Sequence, residues 1–337
     1  MGQTKLGFKD AGRTLGDQLP LPAGWKSAYV CEWDATSKAA ETPAILLADK
    51  APRIVSRAIA EICNTPWNDV NPCLTSDGLI IVWMSFWETG GRESFIYISR
   101  RENLDSPFIK PKKLFAGWNP VITSNGQSIF FCDSTRSSVH EARRIANSDD
   151  FEPFRTADGL NFPAYPTGIT TDGLILFVDI HPPPTDETQT IAHSVRRASV
   201  AAEWEKPLPI KVELKDRFYR VRTIAASPIP GRDSAIICMM LVKITQEANE
   251  ETWPVFLSRA KSSEAYTEME RFSVPSTSGE YDPSLNLRIF NPRYNSITKE
   301  LVFQSLDLHL DAPKNNNDVD IWVVKGFDPK SRGETGK

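Results

Sequence analysis

From about residue 60 onward the chain is a succession of short apolar runs, broken every few residues by Asp, Asn, Gly and Pro, which is the pattern of many short strands rather than of helices. Three of the runs fall in one repeated frame: NPCLTSDGLIIVW (Asn71 to Trp83), NPVITSNGQSIFF (Asn119 to Phe131) and PTGITTDGLILFV (Pro166 to Val178). The dipeptides Asp77-Gly78, Asn125-Gly126 and Asp172-Gly173 suit a two-residue hairpin loop, in which both central positions take φ > 0. Each is therefore expected to join two antiparallel strands. Two weaker copies follow, TIAASPIPGRDSAIICMM with its turn near Gly231, and NPRYNSITKELVF (Asn291 to Phe303).

A second repeat lies downstream of each hairpin. FIYISRR, HEARR, AHSVRR, VFLSR and DIWVVK read as third strands ending in basic residues, and Phe108, Phe151, Trp204 and Tyr266 recur shortly after the first four and lead into an edge strand. Four short antiparallel strands form one propeller blade, and a lone blade exposes faces that only radial stacking can bury. The chain is thus expected to be all-β, a five-bladed β-propeller of four-stranded antiparallel blades, with six blades as the alternative. The fifth copy stops after its third strand, and PRIVSRAI (Pro52 to Ile59) reads as a fourth strand with no blade before it, so an N-terminal strand should close the ring. The expected organisation is an N-terminal extension or cap over 1–50, with the β-like pieces SAYVCEW and PAILLA, a propeller over 51–327, and a flexible C-terminal tail over 328–337.

The frame N-P-x-hydrophobic-T-S-D-G-L, an apolar strand, the Gly-rich Thr89-Gly90-Gly91 loop and IYISRR together resemble the WD-repeat-like propeller repeat of TolB-type proteins, over roughly Pro52 to Gly326. The resemblance implies the propeller fold. Members of that group serve as binding platforms, as accessory domains and occasionally beside hydrolase domains, so it does not select a function.

Composition narrows the partners. A net charge of -4 with no basic block offers no surface for nucleic acid or an anionic membrane. No apolar run approaches a membrane span, so no membrane insertion is expected. The opening MGQTKLGFKDAGRTLGDQ lacks the apolar core of a secretory signal, which leaves localisation open, including an extracytoplasmic home for a fragment of a longer bacterial protein. The cysteines Cys31, Cys63, Cys73, Cys132 and Cys238 show no zinc spacing and read as buried free thiols. The four histidines are scattered, and no metal or cofactor is expected.

Chemistry should concentrate on the ring face opposite the Asp-Gly turns, where the second-to-third strand connections and the starts of the inner strands gather. The ligand-binding candidates there are Trp87, placed to stack on a sugar or peptide, Asp69 and Asn71 from PWNDVNP, Asn119, Asp133, Arg222 and Asp282. Elbow, zinc-protease, phosphate-loop and dinucleotide motifs are all missing. The expected function is a non-catalytic binding or interaction module that presents a loop-rich face and channel mouth to a protein or glycan partner. The enzyme alternative is a five-bladed glycoside hydrolase using two carboxylates at the mouth, Asp69 with Asp133 or Asp282. The pairs Arg100-Arg101, Arg143-Arg144 and Arg196-Arg197 are expected to serve structure between blades.

Overall fold

The structure, a computed structural model, describes residues 55–56, 63, 68–86, 93–146, 148, 150–180, 192–213, 219–220, 227–229, 236–243, 251–260, 264–271, 274–275, 286–287, 290–306 and 319–325. The expectations for 1–50 and 328–337 lie outside these residues. Blade 1 runs Asp69–Leu74, Ile80–Ser85, Phe95–Arg100 and Lys112–Ala116. Blade 2 is Trp118–Ile122, Ser128–Cys132, Val139–Arg143 and Arg155–Thr156, and blade 3 is Ala164–Ile169, Ile175–Ile180, Ala192–Arg196 and Leu208–Pro209. Blade 4 pairs Ile236–Lys243, Glu251–Ser258 and Tyr266–Arg271; its inner strand comes in two pieces, Tyr219–Arg220 and Ser227–Pro228, and Val212–Glu213 adds a parallel edge.

Blade 5 takes Phe290–Asn295, Glu300–Leu306 and Val319–Lys325 from the end of the chain and Val55–Ser56 from its beginning, with Val55 opposite Val324. Each inner strand touches that of the next blade, and that of blade 5 returns to blade 1. The ring therefore closes with five blades, and the N-terminal strand closes it, as the repeat arithmetic requires.

Stacking explains why the second strands are apolar along most of their length instead of alternating. Along Ile80–Ser85, Ile81 and Trp83 pack with Val302, Ile321 and Val323 of blade 5, while Ile80 and Val82 pack with Val121, Ile129 and Phe131 of blade 2. Phe130, Leu176 and Val178 fill the space between blades 2 and 3, and Phe177, Ile237 and Val255 that between blades 3 and 4. Both faces of a blade are core, each large side chain contributing about 1.5–3 kcal/mol of burial.

The turns differ from the expected two-residue loops. Only glycine takes positive φ, 72° at Gly78 and Gly173 and 71° at Gly126, while Asp77, Asn125 and Asp172 do not. The Gly78 N–H donates to the Thr75 carbonyl at 2.9 Å, and the pattern repeats at Gly126 with Thr123 and Gly173 with Thr170. The Asp side chain acts as a local cap: Asp77 Oδ1 accepts from the Thr75 hydroxyl at 2.5 Å and the Leu79 N–H at 3.0 Å, and Asp172 does the same for Thr170 and Leu174. The recurring threonine of the frame thus makes a longer turn self-sufficient, with one left-handed residue instead of two.

The basic ends of the third strands clamp these turns. Arg101 Nε donates to the Gly78 carbonyl at 2.8 Å and Nη1 to that of Leu104 at 3.2 Å, with the guanidinium 4.8 Å above Phe108. Arg197 does likewise with Gly173, Val200 and Trp204. Arg144 over Phe151 and Arg259 over Tyr266 repeat the ring contact. The recurring arginine and the recurring aromatic are two halves of one structural device.

Candidate functional site

At the mouth face each of the inner strands of blades 1, 2, 3 and 5 carries a bulge where two residues oppose one. In blades 1, 2 and 5 it falls on Asn-Pro. Proline has no N–H to give a ladder, and asparagine is among the few residues that tolerate left-handed backbone, so φ is 55° at Asn71, 50° at Asn119 and 47° at Asn291. The bulges turn the amides sideways along the ring. Asn71 Nδ2 donates to Asn119 Oδ1 at 2.9 Å, Asn291 Nδ2 donates to Asn71 Oδ1, and Gln304 Oε1 accepts from the Asn71 N–H at 2.7 Å and from Asn291 Nδ2 at 3.0 Å. Asn71 and Asn119 are thus brought together, buried, with their amides bonded to each other.

Asp69 is fully buried, and its Oδ1 accepts from the indole Nε1 of Trp83 at 3.3 Å. Burial pushes the neighbouring Cys63 thiol up, and the Asp69 charge adds to the shift. Asp133 is more open and bonds within its own loop, accepting from the Thr135 hydroxyl at 2.5 Å and the Ser137 N–H at 3.1 Å. Although partial burial opposes it, these bonds and the nearby His140 hold the Asp133 carboxyl below its ordinary value. His140 Nε2 faces both Ser138 Oγ at 3.0 Å and Asp133 at 3.6 Å. A Ser-His-Asp relay needs the acid on the other ring nitrogen, so this trio cannot act as one. Trp87, Arg222 and Asp282 lie outside the described residues.

Residues that sequence reasoning did not single out complete the mouth. Phe86 meets Trp118 edge-on at 5.5 Å between ring centres, and the Arg136 guanidinium lies 4.2 Å over the Trp118 ring. Burial pushes the Tyr165 phenol up, while the Arg136 charge beside it acts in the opposite direction. Opposite Tyr165 in the sheet, Asp179 is buried with no hydrogen bond to either oxygen among the described residues; burial raises its pKa well above the ordinary carboxylate value, against the pull of Arg293 from blade 5. Asn291 was legible from the Asn-Pro repeat, and Asp179 from a charge inside the apolar run LILFVDI. Nothing local marks Arg136. Toward the turn face the inner strands leave a cavity of about 40 Å³, lined by Cys73, Ile122, Gly168, Pro228 and Arg293, with room for a few waters but not for a sugar.

No family model matches the chain. No curated protein is significantly similar to it in sequence. Among solved structures it is similar to the α-L-arabinofuranosidase PaAbf62A of Podospora anserina, at 8% identity and TM-score 0.49, covering 77% of this chain and 90% of that one. It is also similar to a putative TolB of Agrobacterium tumefaciens, at 15% identity and TM-score 0.39 over 79% and 85% of the two chains. The propeller domain of the Trilobed protease from Pyrococcus furiosus matches at 12% identity and TM-score 0.34 over 77% and 70%. At these values the likenesses say nothing about activity, and the fold rests on the closed ring itself.

Proposed function

We propose that this propeller is a non-catalytic binding module that presents its loop-rich face and channel mouth to a protein or glycan partner. The observation that carries the reading is Arg136 at the mouth, a half-buried cation 4.2 Å over the Trp118 ring, which Phe86 braces edge-on. Trp118 and Phe86 are themselves buried, so what the mouth presents is the guanidinium fixed in place, a feature that recognition uses. Two of the described carboxylates nearby have structural duties: Asp69 holds an indole and Asp133 holds its own loop.

The glycoside-hydrolase reading draws on Asp179, a carboxyl whose pKa burial raises, the direction a general acid needs. A thermal-shift screen of the whole chain against oligosaccharides and peptides separates the two, because a ligand bound to the folded state raises the Tm. A shift with unchanged ligand supports the binding module. Release of reducing ends from a glycan, abolished in Asp179→Asn, overturns it in favour of the hydrolase.

A further inference from the structure

We propose that the cavity between the inner strands binds one small monovalent anion, of the halide or nitrate class, held by the charge of Arg293, independently of any partner at the mouth. All five blades line this space, through Cys73, Ile122, Gly168, Pro228 and Arg293 in ring order. Arg293 is the only charged side chain among the described residues that line it, and it is 5% exposed. Register shows how far it departs from its counterparts. Cys73, Val121, Gly168 and Arg293 hold one position of the frame, opposite Val82, Phe130, Phe177 and Val302 of their second strands. Blades 1, 2 and 3 thus put a small or apolar residue at this level of the ring, and blade 5 puts a guanidinium there. Its charge is felt at Asp179 of blade 3, which is not a neighbour of blade 5 in the ring, so Arg293 acts across the axis.

A guanidinium taken out of water needs a counter-charge, since an unpaired buried ion is costly. Asp179 supplies it poorly: no described residue hydrogen-bonds either of its oxygens, and burial disfavours its ionised form. The cavity offers the alternative. Its volume of about 40 Å³ admits an anion of roughly the size of water, and the Ser124 hydroxyl on its wall can donate to one. Cys73, Ile122, Ile169 and Pro228 make the rest of the wall apolar, which favours a weakly hydrated ion. Phosphate and sulfate are larger and give up more hydration than one guanidinium and one hydroxyl replace.

The test follows the melting of the full chain near neutral pH while sodium bromide, chloride or fluoride replaces sodium gluconate at fixed ionic strength, for wild type, Arg293→Gln and Arg293→Lys. Bromide at roughly ten- to thirtyfold its Kd should raise the wild-type Tm by about 2–4 °C, with chloride close behind and fluoride least effective. Arg293→Gln should lose this response, and Arg293→Lys should keep part of it. Salt effects on the general surface act on all three proteins alike and cancel in the comparison. Wild-type crystals grown in bromide give a readout that needs no variant: the anomalous difference map should carry a peak in the cavity beside Arg293. An equal bromide dependence of Tm in wild type and Arg293→Gln overturns the proposal, and so does a cavity that holds water and no bromide.

Discussion

Ring closure should depend on one buried ion pair at the seam between the last blade and the first. Arg101 Nη2 lies 2.6 Å from Glu300 Oε2, with both side chains essentially removed from water. Glu300→Gln keeps the shape and an acceptor but leaves the Arg101 charge without a counter-charge. A charge-assisted hydrogen bond contributes about 1.5–3 kcal/mol, and an orphaned buried charge raises the loss to about 3–5 kcal/mol. Unfolding entropy of roughly 2 cal/mol/K per residue over a ring of this size converts about 3 kcal/mol into a Tm drop of about 5 °C.

Blade 3 contains the control. Arg197 makes the same two carbonyl bonds and the same ring contact, but no carboxylate hydrogen bond among the described residues. Arg197→Met therefore measures the clamp alone, and Arg101→Met the clamp plus the latch. Thermal and urea melts followed by tryptophan fluorescence at pH 7, run on Arg101→Met, Glu300→Gln and their double variant, should show a coupling of about 1.5–3 kcal/mol. A coupling below about 0.5 kcal/mol, with Arg101→Met no worse than Arg197→Met, refutes the latch.

Gly159 has φ of 89°, and a Cβ there would meet the Trp204 carbonyl oxygen at 2.3 Å, so Gly159→Ala should lower the Tm by more than Glu300→Gln does; an unchanged melt rejects the close approach. Asp69→Ala strands the Trp83 indole and should cost about 1–3 kcal/mol, read as a Tm shift, whereas a residue free to hold ligand would leave the Tm in place. For Asp179, burial raises the folded-state pKa, so between the ordinary value of 3.8 and the raised one the folded protein binds more protons than the unfolded chain. Its stabilising contribution is complete at acid pH and is lost as pH rises through the folded pKa. Asp179→Asn cannot ionise and should gain Tm relative to wild type at pH 8 but not at pH 4; parallel pH profiles would count against a neutral buried acid.

The five-blade count and the need for a closing strand were legible in the sequence because the blade repeats, and a repeat reports one local geometry several times over; the recurring arginines and aromatics were legible too, but not that they pair. The turn chemistry was legible only in part. Asp77-Gly78 signalled a hairpin, yet its length depended on the Thr75 hydroxyl, whose hydrogen bonds with Asp77 and Ile80 exist only once the strands pair. The mouth was the least legible. Asn71 and Asn119 were expected there, but not that their amides would bond each other across 48 residues of sequence.

Trp118, Arg136, Tyr165 and Asp179 come from blades 2 and 3 and meet through the stacking of sheets, a relation that no spacing along the chain encodes. Arg136 shows the limit most directly. In CDSTRSSV it is one polar residue among several, and its backbone angle, its seat on Trp118 and its unmatched donors all arise from neighbours outside its loop or from the loop's closure. By itself the sequence determined the blade, because strand pairing and turns are set by residues near one another in the chain. Only the tertiary structure decided the site, because closing the ring is what brings distant side chains into a shared, dry space where their charges and donors act on each other.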